Sequence, residues 1–123
     1  MKHLLPFCAA LTFAAADLAR AGSETPVLEI VTFRTVEGTD TEQFLNAART
    51  TEAMLRERGS LIRRFLTVDE SGVWTDVIEW TSMDEAIAAA EAVMQHPDFA
   101  PFGSMIDGET VEMRHAPILW RME

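Results

Sequence analysis

Val77-Ile78-Glu79-Trp80-Thr81-Ser82-Met83-Asp84-Glu85-Ala86 passes from a strand into a helix. Its first half is filled with β-branched and aromatic residues, the composition of a strand. Ser82, with Glu85 three residues later, is a capping box, the signature of a helix N-terminus. Upstream, Thr39-Asp40-Thr41-Glu42 repeats that signature before a second run of helical periodicity. Working outward from these two starts, the chain reads strand 27–35, helix 40–58, strand 61–68, strand 73–81, helix 83–95 and strand 111–119. The order βαββαβ in this length is the split βαβ, ferredoxin-like unit. The expected class is α+β, an antiparallel sheet with both helices on one face.

The individual elements carry their own signals. Val27-Leu28-Glu29-Ile30-Val31-Thr32-Phe33-Arg34-Thr35 is rich in β-branched residues, and Gly38 breaks it. In the first helix Phe44, Ala47, Ala48, Thr51 and Leu55 form one core-facing stripe, and Gly59 sits where a left-handed C-terminal cap belongs. Asp69-Glu70-Ser71-Gly72 reads as a hairpin turn. The second helix puts Ala86, Ile87, Ala90, Val93 and Met94 on one face, and Pro97 stops it. The stretch from His96 to Asp107 is aromatic and irregular. No internal repeat or low-complexity linker is present.

The first 21 residues read as a cleaved signal peptide. Met1-Lys2-His3 is a short basic start, Leu4 to Ala16 an apolar run, and Ala19-Arg20-Ala21 a small-x-small cleavage pattern. The run is shorter than the roughly 20 residues of a membrane span. Residues 22–26 form a lead-in, 27–119 the domain and 120–123 a C-terminal tail. A periplasmic or secreted protein is expected, with no membrane association after cleavage. Cleavage removes the only Cys, Cys8, and the only Lys, Lys2, and Tyr is absent throughout. Thiolate, Schiff-base and tyrosyl chemistry are thereby excluded from the mature chain, and no disulfide forms.

The full chain has 10 basic and 20 acidic residues and a net charge of −10; losing Lys2, Arg20 and Asp17 leaves 8 and 19, or −11. Such acidity repels phosphate backbones, so nucleic acid is not an expected partner. Three strands carry apolar residues on both alternating sets, whereas an antiparallel sheet that meets water usually alternates apolar with polar. A body of this size also buries little surface on its own. Two copies packing sheet to sheet, a homodimer, would resolve both.

The whole pattern resembles the antibiotic biosynthesis monooxygenase family of dimeric α+β barrels. The resemblance rests on element order and on Val31-Thr32-Phe33-Arg34-Thr35-Val36-Glu37-Gly38 leading into a helix with Phe44. It rests also on Val77 to Ala86 and on the helix exit Met94-Gln95-His96-Pro97-Asp98-Phe99. It implies a dimeric α/β barrel that binds a small hydrophobic or aromatic molecule. It further implies cofactor-independent monooxygenation of an aromatic or quinol-type substrate, with no cofactor called for. Haem-degrading relatives carry an Asn where this chain has Val31, and a Trp and a His about the second helix. Here that helix is largely alanine with no Trp, and His96 follows its end. A non-catalytic periplasmic ligand-binding or sensing module is the alternative reading, and a haem-binding protein the third.

Two histidines remain as candidate bases. His96 and Asp98 form His-Pro-Asp, in which a carboxylate can orient an imidazole. The same triplet also reads as a His⁺ set against the helix dipole beside a local Asx turn. His115 sits beside Arg114 in the last strand, and alternation turns one of the two inward. An inward His115 could take a proton from a phenol or hydroquinone, or simply hydrogen-bond a backbone carbonyl. Trp74, Trp80, Phe99, Phe102 and Met105 are the expected wall of an aromatic pocket between helices and sheet, or else plain core. No metal-ligand spacing is recognisable. Glu29, Asp76, Glu79, Glu112, Arg63, Arg64 and Arg114 lie on strands, and some must face inward as charge pairs. The sequence leaves their faces open and gives none a catalytic role.

Overall fold

Asp40 and Ser82 begin the two long helices of the computed structural model, which describes residues 25–123. The signal segment 1–21 lies outside the described residues, as does 22–24 of the lead-in. The side chain of Ser82 accepts from the Glu85 amide at 3.1 Å, as its capping box predicts. In the first box the cap falls one residue later than Thr39: Asp40 Oδ2 accepts from the Gln43 amide at 3.1 Å. The Thr39 hydroxyl instead donates to the Val36 carbonyl.

The elements run β1 (Val27–Thr35), α1 (Thr41–Thr50), α2 (Glu52–Arg56), β2 (Leu61–Val68), β3 (Trp74–Trp80) and α3 (Met83–Gln95). A 3₁₀ turn (Pro97–Phe99), α4 (Ala100–Ser104) and β4 (Ile106–Pro117) follow. The strands form one antiparallel sheet in the order β2-β3-β1-β4, with β3 between the two parallel members of the split unit. This is the expected ferredoxin-like arrangement.

Three boundaries differ from expectation. The first helix is interrupted at Thr51, because consecutive β-branched hydroxyls turn back on the backbone. Thr50 Oγ1 donates to the Ala47 carbonyl and Thr51 Oγ1 to the Ala48 carbonyl. The irregular stretch after α3 contains a short helix, α4. The last strand starts at Ile106 rather than Val111, because its first residues pair with Thr35 and Arg34 before a bulge opposite β1. Gly59 and Gly72 close α2 and the β2–β3 hairpin at φ +74° and +87°, a left-handed backbone that favours glycine.

Register fixes the two faces of the sheet. Val27, Glu29, Val31 and Phe33 of β1 pair with Trp80, Ile78, Asp76 and Trp74 of β3, and this set faces the helices. In β2 an extra residue, Ile62, stands between Leu61, opposite Trp80, and Arg63, opposite Glu79. Beyond that bulge Arg64 takes the helix side and Arg63 the open side.

The core has two parts. One joins Val27, Ile78 and Trp80 to Met54, Leu55, Ala86 and Ala89. The other gathers Phe33, Ala47, Ala48, Trp74 and Phe102 around Phe44. The Phe44 ring centroid lies 4.7 Å from Trp74, 4.9 Å from Phe102 and 5.8 Å from Phe33. Phe99 packs against both parts.

The open face carries Leu28, Ile30, Phe65 and Val77, with Phe65 57% exposed. Near one end of that face, by the start of β1 and the end of β3, Glu79 is buried beneath two arginines. Arg63 Nε lies 3.1 Å from Glu79 Oε1, and Arg121 of the tail closes over the same carboxylate. That hydrogen bond raises the Arg121 pKa further above its ordinary value.

Candidate functional site

A cavity of about 440 Å³ lies between the helix-facing side of the sheet and the roof made by α3, the 3₁₀ turn and α4. Its wall is mainly apolar: Met54, Leu55, Ile78, Ala89, Val93, Phe99, Phe102, Val111 and Met113 among others. Gly103 lets this wall close, since a Cβ there would stand 2.6 Å from the Phe99 ring. Helix α3 can lie close to the sheet because its inward positions are alanines. Ala86 and Ala89 are buried in the core, and Ala89 and Ala90 reach the cavity.

The polar groups of the floor come from all four strands and one helix break. Glu29 of β1 lies directly opposite His115 of β4, and Glu29 Oε1 is 3.0 Å from His115 Nε2. When Glu29 is ionised the imidazole nitrogen donates; when Glu29 is protonated the carboxyl donates. Burial pushes the Glu29 pKa above the ordinary carboxylate value, the His115 contact opposes that rise, and the nearby Asp76 charge adds to it. The indole N–H of Trp80 favours the Glu29 carboxylate electrostatically but falls short of hydrogen-bond geometry. It is a buried donor with no hydrogen-bond partner among the described residues.

Beside this couple, Arg64 and Asp76 form a bidentate pair. Arg64 Nε donates to Oδ1 at 2.9 Å and Nη2 to Oδ2 at 2.7 Å. Arg64 Nη1 donates to Thr51 Oγ1 at 2.8 Å, so the hydroxyl that interrupts the first helix also anchors the guanidinium. The guanidinium carbon lies 5.4 Å from the Phe102 ring centroid, a cation–π contact that ties β2 to the roof.

Of the expected pocket residues, the cavity brings together Trp80, Phe99 and Phe102. Trp74 and Met105 pack into the Phe44 part of the core beside it instead, because that cluster takes up their side chains. His115 reaches the cavity through Glu29, its partner on the wall, while the neighbouring Arg114 falls on the open face. His96 lies away from the cavity wall. Its Nδ1 accepts the Asp98 amide at 3.1 Å, capping the 3₁₀ turn, and its Nε2 is 3.1 Å from Glu57 Oε1. Glu29, Asp76 and Arg64 are among the strand charges whose faces the sequence leaves open, and Thr51 reads there only as part of the core-facing stripe; the structure brings all four to the cavity. The signal was present: one acidic residue interrupts each inward apolar set, Glu29 among Val27, Val31 and Phe33, and Asp76 among Trp74, Ile78 and Trp80.

With this geometry, comparison with solved structures finds the same architecture. SnoaB, a cofactor-independent oxygenase from Streptomyces nogalater, superposes with a TM-score of 0.55 at 16% identity, over 80% of this chain and 96% of that one. A candidate antibiotic biosynthesis monooxygenase from Bordetella bronchiseptica gives 0.62 at 15%, over 78% and 99%. The chain shares the ferredoxin-like α+β fold of these structures. A dimeric ferredoxin-like protein of unknown function from Thermobifida fusca matches at a TM-score of 0.55 and 14% identity, over 76% of this chain and 92% of that one. No family model matches the chain, and no curated protein matches its sequence.

The raised pKa of Glu29 has a testable consequence for stability. A carboxyl that holds its proton more tightly in the native state stabilises the fold below its unfolded value of 4.5. That contribution is lost as pH rises through the native value. Glu29→Gln, which cannot ionise, is therefore expected to gain stability relative to the parent as pH increases. Melting temperatures at about pH 4 and about pH 8 check this: the difference, variant minus parent, should be more positive at the higher pH.

Proposed function

We propose that the cavity binds a small aromatic molecule bearing a phenolic hydroxyl, and that the Glu29–His115 couple takes its proton. The observation that carries this reading is the hydrogen-bonded carboxyl–imidazole pair on the floor of an apolar cavity. Burial of Glu29 raises its affinity for a proton above that of an ordinary carboxylate, the direction in which a general base gains strength. Oε1 is engaged with His115, which leaves Oε2 for the substrate hydroxyl, and the proton delivered to the pair is shared across the 3.0 Å contact.

The reaction proposed to follow is oxygenation without a cofactor, as in the SnoaB comparison. A hydroquinone supplies every electron that reaction needs. One molecule with one O₂ gives the hydroxyquinone and one water. The protein's part is to seat the ring, take the proton and exclude bulk water from the reacting anion.

Oxygen uptake with a panel of hydroquinones tests the proposal. Glu29→Gln is expected to lower kcat by about 10²–10⁴-fold, the usual contribution of a positioned base. Equal rates for variant and parent would overturn the catalytic role. Ligand-induced thermal stabilisation with no oxygen uptake would point instead to a binding module.

We further propose that the protein is exported and acts as a homodimer. Export is supported by the basic start, apolar run and small-x-small pattern of residues 1–21. The dimer is supported by the apolar residues of the open face and by the dimeric Thermobifida fusca neighbour. Light scattering of the mature form at micromolar concentration is expected to give twice the chain mass; a stable monomer would remove the dimer.

A further inference from the structure

Register places Arg64, Ile78, Glu29 and His115 in one row across the sheet, one residue from each strand, all on the cavity side. Adjacent strands lie about 4.8 Å apart, so the Arg64 and Glu29 backbones are about 9.5 Å apart, two strand spacings. Ile78 lies between them as an apolar step. The floor thus has a proton-accepting end, a flat apolar middle and a cationic end.

The cationic end has donors to spare. A guanidinium carries five N–H groups. Three are used, two by Asp76 and one by Thr51, which leaves two among the described contacts of Arg64. Asp76 and Thr51 hold the group rigid, and the Phe102 ring covers it. Because Asp76 already balances the charge, the vacant N–H groups suit a neutral acceptor oxygen better than a second carboxylate.

We infer that Arg64 is a specificity-determining residue, and that the ligand is a phenol whose ring carries a carbonyl-type acceptor oxygen on the side opposite its hydroxyl. This rests on the proposed role of Glu29. The two ends cooperate chemically. Removing the proton at the Glu29 end pushes negative charge through the ring onto the far oxygen, where Arg64 receives it. In a hydroquinone both ring oxygens become carbonyls as the ring is oxidised, and the one at the Arg64 end gains the carbonyl acceptor that its free N–H groups suit.

The test uses a pair of probes that do not react with oxygen, 4-hydroxyacetophenone and 4-ethylphenol, of similar shape but with and without the carbonyl. A hydrogen bond to a charged donor predicts about 10- to 100-fold tighter binding of the ketone to the parent protein. Its absorbance should shift to that of the phenolate at a pH below its free pKa. In Arg64→Lys, which keeps the charge but loses the planar fork, the preference is expected to fall toward parity. The parent comparison needs no variant to fold. Equal affinities for the two probes would overturn the role of Arg64. Selective binding of the ketone without the phenolate shift would leave Arg64 in place and sink the Glu29 reading instead.

Discussion

Replacing Asp76 with alanine is expected to lower the stability of the fold by about 3–5 kcal/mol, because it strands the Arg64 guanidinium in a largely buried site. Asp76 is buried, and the Arg64 side chain is only 16% exposed. Breaking such a pair from one side costs far more than the pair is worth, since the remaining charge keeps its desolvation penalty and loses its partner. The comparison that isolates this effect is the double variant Asp76→Leu with Arg64→Met. It removes both charges and is expected to recover most of the loss. Urea unfolding of parent, single and double variants measures all three. A single variant within about 1 kcal/mol of the parent would mean that the guanidinium swings out to water, and the floor described here would not be rigid.

Phe44→Ala is expected to cost a similar amount, about 3–5 kcal/mol, by opening a void at the centre of the second core cluster. Phe44 is fully buried and touches three other rings. Each well-oriented aromatic pair adds about 0.5–1.5 kcal/mol beyond the area it buries. The loss also reaches the cavity, because Phe102 both stacks on Phe44 and makes the cation–π contact with the Arg64 guanidinium. Phe44→Leu keeps most of the volume and should cost clearly less than the alanine variant. Thermal unfolding checks the order, and ligand titration of the leucine variant checks whether the roof has shifted. Equal stability of parent and alanine variant would show that the cluster repacks freely.

Much of this architecture can be read from the chain, for identifiable reasons. Element order follows from local signals. Ser82 caps α3 where its box predicts, and Gly59 and Gly72 hold the left-handed backbone their positions call for. The break at Thr51 is not legible from periodicity, because Thr51 still falls on the buried stripe; only its hydrogen bonds depart from the helix. The early start of β4 is hidden because Gly108 and the acidic residues around it do not look like a strand, yet Ile106 and Asp107 pair with Thr35 and Arg34 ahead of the bulge.

The site is harder to read than the fold. Charged residues in strands can face either way until the register is known. In β2 simple alternation from Leu61 would send Arg63 inward, and the bulge sends Arg64 there instead. His96 drew attention as part of His-Pro-Asp, but its Nδ1 caps a short turn and its Nε2 meets Glu57, both away from the cavity wall. Glu29 stands among seven strand charges expected to include inward-facing pairs, and only the register shows that it is one of the inward ones.

Ile62 reconciles two rulers. The tight turn at Gly72 counts residues back along β2 and brings Arg64 opposite Ile78, while the helix end at Gly59 counts forward and seats Leu61 against Trp80. The tallies disagree by one, and the surplus position absorbs the remainder. Parity therefore decides which of two adjacent arginines enters the interior. Shortening the chain by one residue between Arg64 and Asp69 would exchange them, exporting the guanidinium that neutralises Asp76 without altering a single side chain on the opposing strand.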